Sequence, residues 1–380
     1  MGPHRHGTAL SHRLTFLGFA FTIVVFCLLT HSTSAVHGAK LPKPQTLHRK
    51  HVNIDLLNAD INQLQKLLST GKLTSVELVK MYLERIDKVN KKGPALNAII
   101  ETNPDAIAIA RRLDIERKMK GPRGPLHGIP ILVKDNIATF DKMNTTAGSF
   151  ALLGSKVPRD AHVIAKLRRA GAIILGKTNL SEWANFRSSN NTNGWSARGG
   201  QTKSAYVLNG DPCGSSSGSG VATSIGLAAV SLGTETDGSI ICPSSSASLV
   251  GIKPTVGLTS RAGCCHEHVI GVIPISHTQD SVGPMARNTL DAAIVLSIIA
   301  GPDPRDPATL ARGAKFHPDY TKLLNKKYGF KGYRIGVPRK VFFDPDYIGS
   351  EVAVAIEKAI KIIAKAGAHI QDPANLPSAS

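Results

Sequence analysis

The chain reads as an α/β protein, a layered sheet covered by helices, and three observations predict it. Segments with apolar residues at helical spacing alternate with short aliphatic runs from about residue 60 to residue 371. Apolar residues make up 42% of the 380 positions, enough for one large core or two ordinary ones. Two of the strand-like runs end in polar residues, at 134 and after 175, and open α/β sheets place their ligands at strand ends.

In chain order, Asp60 or Asn58 is placed to cap a first helix, with Ile61, Leu64, Leu67 and Leu68 on one face and Gly71 at its end. Thr74-Ser75 opens a second, in which Val76, Leu78, Val79, Tyr82, Leu83 and Ile86 recur at helical spacing. A strand is expected over 97–101 and a helix over 104–119, ending at Gly121. Residues 128–134 (GIPILVK) carry a buried-strand signature that terminates on Lys134. A helix over 158–170 and a strand over 172–175 follow, with GKTNLSEW (176–183) at that strand's carboxyl end. Further on come strands at 228–232 and 249–252, extended segments at 271–276 and 279–287, and a helix at 290–300. A strand at 333–337, a helix at 350–367 and a strand at 368–371 complete the alternation.

The stretch 211–243 (DPCGSSSGSGVATSIGLAAVSLGTETDGSIICP) organises the rest. Two small-residue turns, 213–220 and 233–239, bracket an apolar run, and such turns bring backbone close to a bound group. A Ser/Gly linker is one reading, but the run passes directly into helix-compatible and strand-like apolar segments, which a linker does not do. A phosphate loop is another, yet neither the Walker spacing nor G-x-G-x-x-G occurs between 213 and 220.

Four blocks in order, GWSARGGQT (194–202), PCGSSSGS (212–219), GTETDGSI (233–240) and GIKPTVGLTSRAG (251–263), resemble the amidase signature hydrolases, closest to the peptide amidase branch. The likeness runs from about residue 53 to 380. It implies an amidase signature domain over 53–380, with a large mixed twisted β-sheet flanked by helices. It also implies cleavage of carboxamide C–N bonds to acid and ammonia without a cofactor. The family's triad is a nucleophilic serine, a second serine preceded by a cis peptide bond, and a lysine. These map onto Ser239, Ser215 and Lys134, and the two serines are twenty-four positions apart, as in the family. The turn Thr236-Asp237-Gly238-Ser239 would supply the oxyanion hole, and Asn179, Trp183 and Trp195 would shape the substrate pocket. For Trp183 and Trp195 a plain core role is the competing reading.

The residues themselves ask for the same chemistry. Amide hydrolysis needs a nucleophile, a proton carrier and oxyanion donors. No His/Asp partner can be placed for Ser239, because histidine near it occurs only within 264–271, and a serine–lysine pair is the known variant. Lys134 must then be neutral at rest, which requires burial away from water and carboxylates; Ile131-Leu132-Val133 is a suitable surround.

Residues 1–35 have a secretory leader's form: His4, Arg5 and Arg13, then an apolar segment from Leu14 to Leu29, then Thr33-Ser34-Ala35. Residues 36–52 are a basic lead-in. The expectation is therefore a secreted protein with no membrane segment after cleavage, and Asn144, Asn179 and Asn190 begin glycosylation sequons. The net charge of +19 is scattered rather than gathered into a basic, aromatic face, so no nucleic-acid partner is expected; the expected partner is a small or peptide amide substrate. Beyond Cys27 in the leader, Cys213, Cys242, Cys264 and Cys265 are too few for a disulfide framework. Cys264, Cys265, His266 and His268 are too crowded for a zinc site, so no metal is expected.

Two departures from the family pattern stand out. Residues 264–271 resemble an insertion, and family members continue beyond the position of Ser380, so a C-terminal part is expected to be missing. Two alternatives to a working amidase follow: a non-catalytic remnant, and a relative of the amidase component of a glutamyl-tRNA amidotransferase.

Overall fold

The computed structural model describes residues 54–262, 271–311, 316–324, 329–344 and 348–378. The expected leader and lead-in fall outside the described residues, as do Cys264, Cys265, His266 and His268.

A six-stranded sheet forms the centre. In chain order its strands are β1 (Ile99–Thr102), β2 (Pro130–Lys134), β3 (Ile173–Thr178), then β6 (Val230–Glu235), β7 (Val250–Gly251) and β8 (Ser281–Ala286); a small hairpin, β4 (Trp195–Ser196) with β5 (Gly200–Gln201), falls between. The spatial order is β1-β3-β2-β6-β8-β7. β2 runs parallel to both β3 and β6, whereas β1, β8 and β7 join antiparallel, so the sheet is mixed. Every residue of β2, β3, β6 and β8 is buried. That explains why β2 and the start of β3 read as unbroken apolar runs rather than alternating ones.

The helices are α1 (Ile61–Ser69), α2 (Ser75–Val89), α3 (Ala106–Lys120), α4 (His162–Arg169), α5 (Ser217–Ser224), α6 (Ile241–Ser246) and α7 (Thr289–Ile299). α1 and α2 both start with capping boxes, Asp60 with Gln63 and Thr74 with Glu77, which satisfy first-turn N–H groups. α3 and α4 pack on β3, α5 on β6 and β8, and α7 on β8. Beyond them lie α8 (Pro307–Leu310), α9 (Arg339–Phe342) and α10 (Ser350–Lys365), and β9 (Arg334–Gly336) pairs in parallel with β10 (His369–Gln371) as a separate two-stranded sheet. Residues 271–276 form no strand; Val272 makes a single antiparallel bridge to Ile137.

α5 is built from SGSGVATS, all of it buried. Its small side chains allow close approach: a Cβ on Gly218 would lie 2.3 Å from the Ala98 carbonyl oxygen. The hydroxyls are paired inside the core. Ser219 Oγ meets Thr178 Oγ1 at 2.7 Å and donates to Leu232 O, and Thr223 Oγ1 donates to Ser231 Oγ at 2.8 Å. Buried hydroxyls so satisfied belong to a core, not to a linker.

Candidate active site

Three chain segments bring side chains to one end of the parallel strands. Lys134 is the last residue of β2; Ser215 sits in the loop just before α5; Ser239 lies on the turn between β6 and α6. All three are buried, with Ser239 8% exposed. Lys134 Nζ is 2.7 Å from Ser215 Oγ and 3.1 Å from Thr234 O, and Ser215 Oγ is 3.0 Å from Ser239 Oγ. A neutral amine can donate to the Thr234 carbonyl while accepting from Ser215, which in turn accepts from Ser239. The peptide bond Gly214–Ser215 is cis.

Burial drives the Lys134 amine down to about 7, against the opposing fields of Glu235 and Asp280. The sequence reading asked for a lysine away from carboxylates, and here two carboxylates act on it. Both are taken up by other groups. Glu235 accepts from Ile240 N and Ile241 N at 2.6 and 2.8 Å, and Asp280 accepts from Ile275 N and Ser276 N and from the Thr236 hydroxyl. Glu235 and Asp280 thereby anchor both ends of the turn that carries Ser239, a role invisible in the sequence.

On that turn Gly238 has φ +75°, which favours glycine, and its Cβ position is open space. Among the described residues, the N–H groups of Asp237, Gly238 and Ser239 have no hydrogen-bond acceptor, although Ser239 O accepts from Ser216 N at 3.1 Å. The Thr236 side chain is committed to Asp280. Backbone donors left free beside a buried hydroxyl are what a developing oxyanion requires.

Lys177 is a second fully buried amine, held near 8 by burial. It pairs in register with Val133 rather than Lys134, and adjacent positions point to opposite faces. Its ammonium donates to Ile137 O and Thr145 Oγ1 and stays outside the serine chain.

The three pocket candidates differ from one another. Asn179 is corrected to a structural post. It is fully buried; its Nδ2 lies within hydrogen-bond reach of Asn97 O, Gly200 O and Thr202 Oγ1, and its Oδ1 accepts from Ser196 Oγ and Leu180 N. No capacity remains for a substrate. Trp183 is half-buried in a short 3-10 turn (Glu182–Asn185), and Trp195 is 44% exposed on β4, so neither is a plain core aromatic. Two residues before Trp183, Ser181 reaches the site, its N–H donating to Ser215 O.

Cys213 and Cys242 form a disulfide, with Cα atoms 5.8 Å apart. The expectation that the four cysteines build no framework left this bond out. Among the described residues no cluster of His, Cys, Asp and Glu is arranged to hold a metal ion.

Residues 77–380 match the family model described as amidase. The chain belongs to the amidase family. Within that family it is 48% identical to the native peptide amidase of Stenotrophomonas maltophilia, with a TM-score of 0.77 over 84% of this chain and 62% of that one. An Arabidopsis thaliana protein described as a probable amidase is 52% identical over 286 residues, 74% of this chain and 53% of the relative. A glutamyl-tRNA(Gln) amidotransferase component from Clostridium botulinum is 36% identical over 324 residues, 85% of this chain and 62% of that protein. The chain thus spans between about half and two thirds of the length of these family members. The mixed sheet flanked by helices is the fold of amidase family structures.

Proposed function

We propose that this protein is a serine hydrolase that cleaves a primary carboxamide, R–CO–NH2, to an acid and ammonia through an acyl-enzyme. One observation carries the reading: an unbroken chain from the Lys134 amine through Ser215 Oγ to Ser239 Oγ, at 2.7 and 3.0 Å, with the amine near 7, so that about half of it is free to accept a proton at neutral pH.

In the first step the Ser239 proton passes to Ser215 Oγ while the Ser215 proton passes to Lys134. Ser239 Oγ bonds to the carbonyl carbon, and the carbonyl π electrons move onto oxygen. The N–H groups of Asp237, Gly238 and Ser239, which have no acceptor among the described residues, would receive that oxyanion. On collapse the proton returns through Ser215 to the nitrogen, the C–N bond breaks, and ammonia leaves. Water then attacks the ester along the same proton path and releases the carboxylate.

The peptide amidase likeness supports a C-terminal peptide amide as substrate. The secretory route is supported by the leader-like residues 1–35 and by the Cys213–Cys242 bond, since such bonds persist in oxidising compartments. The test is ammonia release from an N-acyl amino-acid amide. Ser239→Ala should lower the turnover rate by about three powers of ten or more, and undiminished release would refute the assignment. The 36% identity to the Clostridium botulinum amidotransferase component favours a second reading, in which free glutamine is the ammonia source. Release from glutamine but not from peptide amides would select it.

A further inference from the structure

We propose that Cys213 and Cys242 are positioning residues of the active site: their bond clamps the loop of the bridging serine onto the turn of the nucleophile. This rests on the serine-hydrolase reading above.

The two half-cystines sit at the places where such a clamp acts. Cys213 lies two positions before Ser215, and Cys242 three positions after Ser239. The disulfide, the two short segments and the 3.0 Å hydrogen bond between the serine hydroxyls close one small ring. The Ser216 N–H to Ser239 O contact lies just beyond the Ser215 end of that ring. The sheet fixes the other sides of the site: Lys134 by the β2–β6 register, and Ser216 by its hydroxyl on Thr234 O.

Upstream of Ser215 the attachment is weaker. Cys213 follows a surface loop in which Tyr206, Val207 and Leu208 are exposed, Leu208 to 89%. That loop is tied near Cys213 by Asn193 Nδ2 on Asp211 and by the Ser217 hydroxyl on Cys213 O. On the other side, Cys242 is exposed at the start of the six-residue α6. Ser239 therefore lies close to an exposed segment and Ser215 close to a part-buried one that leads out to the surface loop, and the disulfide joins the two. A misplacement of about 1 Å between reacting groups costs about a hundredfold in rate, so a covalent tie at this point acts on the chemistry and not only on the fold.

The experiment compares the full chain with its Cys213→Ser/Cys242→Ser variant, and oxidised with reduced wild type. In the reduction, dithiothreitol gives up two electrons and closes to its own cyclic disulfide, while the protein sulfurs take up two protons and become thiols. Oxidised glutathione reverses this by becoming two glutathione thiols. The readout is phosphonylation of Ser239 by a fluorophosphonate probe, in which the Oγ–P bond forms and fluoride leaves. Intact mass follows it, with the inactivation rate separated from the probe's reversible affinity. All measurements are made below the unfolding midpoint of the least stable sample. The variant and the reduced wild type should show a fall of about ten- to a hundredfold in inactivation rate at unchanged affinity, and reoxidation should restore the wild type.

Rates within about twofold of the oxidised wild type would overturn the inference, as would loss of affinity and rate together. Loss of the folded circular dichroism signal on reduction would also overturn it, because the bond would then be a staple of the fold alone. So would an oxidised wild type whose Ser239 does not react. A protein labelled in this disulfide-dependent way that releases no ammonia from any amide would instead retain the clamp and discard the substrate reading.

Discussion

The Lys134 amine lies 3.1 Å from the carbonyl oxygen of Thr234, so the tip of β2 is held directly against the tip of β6. Five residues beyond Thr234 comes Ser239. Lys134 thus ends one strand, Ser239 lies on the turn that follows its parallel neighbour, and Ser215 reaches between them from the loop before α5. The strand β2 fixes the Lys134 side of this arrangement, while the two serines sit on short segments leading into α5 and α6.

The pH dependence follows from the buried lysine. Only the neutral amine accepts a proton, and Lys134 lies near 7. Ammonia release at limiting substrate should therefore climb with pH through about 7 and level off above it. A pH–rate profile flat from 5 to 9, or climbing only near 10, contradicts this.

The same lysine should weaken the fold. Its folded value of about 7 lies below the ordinary 10.5, so between those values the unfolded chain holds a proton that the folded chain lacks. Wild-type stability from this group rises with pH across that window, and the penalty is full at and below about 7. Lys134→Met should abolish turnover yet stabilise the protein by about 2–4 kcal/mol at pH 7. The gain should shrink toward pH 10, as read by urea unfolding at several pH values.

Removing the disulfide should also be felt at equilibrium. The bond closes a loop of sequence separation 29, for which chain entropy gives about 3.6 kcal/mol. Cys213→Ser/Cys242→Ser should lose about that much in urea unfolding, separately from its effect on rate.

Asn179 and Trp195 should respond in opposite ways. Asn179→Ala removes a fully buried hub and should cost about 2–4 kcal/mol of stability. Trp195→Ala, at an exposed position on β4, should leave stability within about 1 kcal/mol and change KM if the tryptophan meets substrate. Thermal unfolding alongside Michaelis kinetics separates the two.

Of the sequons, Asn179 is fully buried and Asn190 is exposed on a loop. Glycopeptide mass analysis of protein passed through a eukaryotic secretory route should find Asn190 occupied and Asn179 bare.

Much of this was legible in the chain because local physics agreed with the fold. The capping residues Asp60 and Thr74 announced α1 and α2, and GIPILVK announced a strand buried on both faces. Lys134, Ser215 and Ser239 were singled out by motif, and the fold gathers them. What stayed hidden depends on distant contacts. Asn179 entered as a pocket residue through the family resemblance; partners from elsewhere in the chain bury it. Spacing does not say which cysteines meet, so Cys213 and Cys242 were left unpaired. Glu235 and Asp280 carry no local signal, since their partners are backbone N–H groups that only the folded turn presents.

The register of β2 carries one last implication. Val133 and Lys134 point to opposite faces, and Lys177 already occupies the space beside the former. Inserting a single residue between Pro130 and Val133 would swap the two sides, sending the Lys134 amine away from the serines and the Val133 side chain toward them. Lineages of this protein should thus tolerate exchange of one aliphatic residue for another along that strand far more readily than any change in its length.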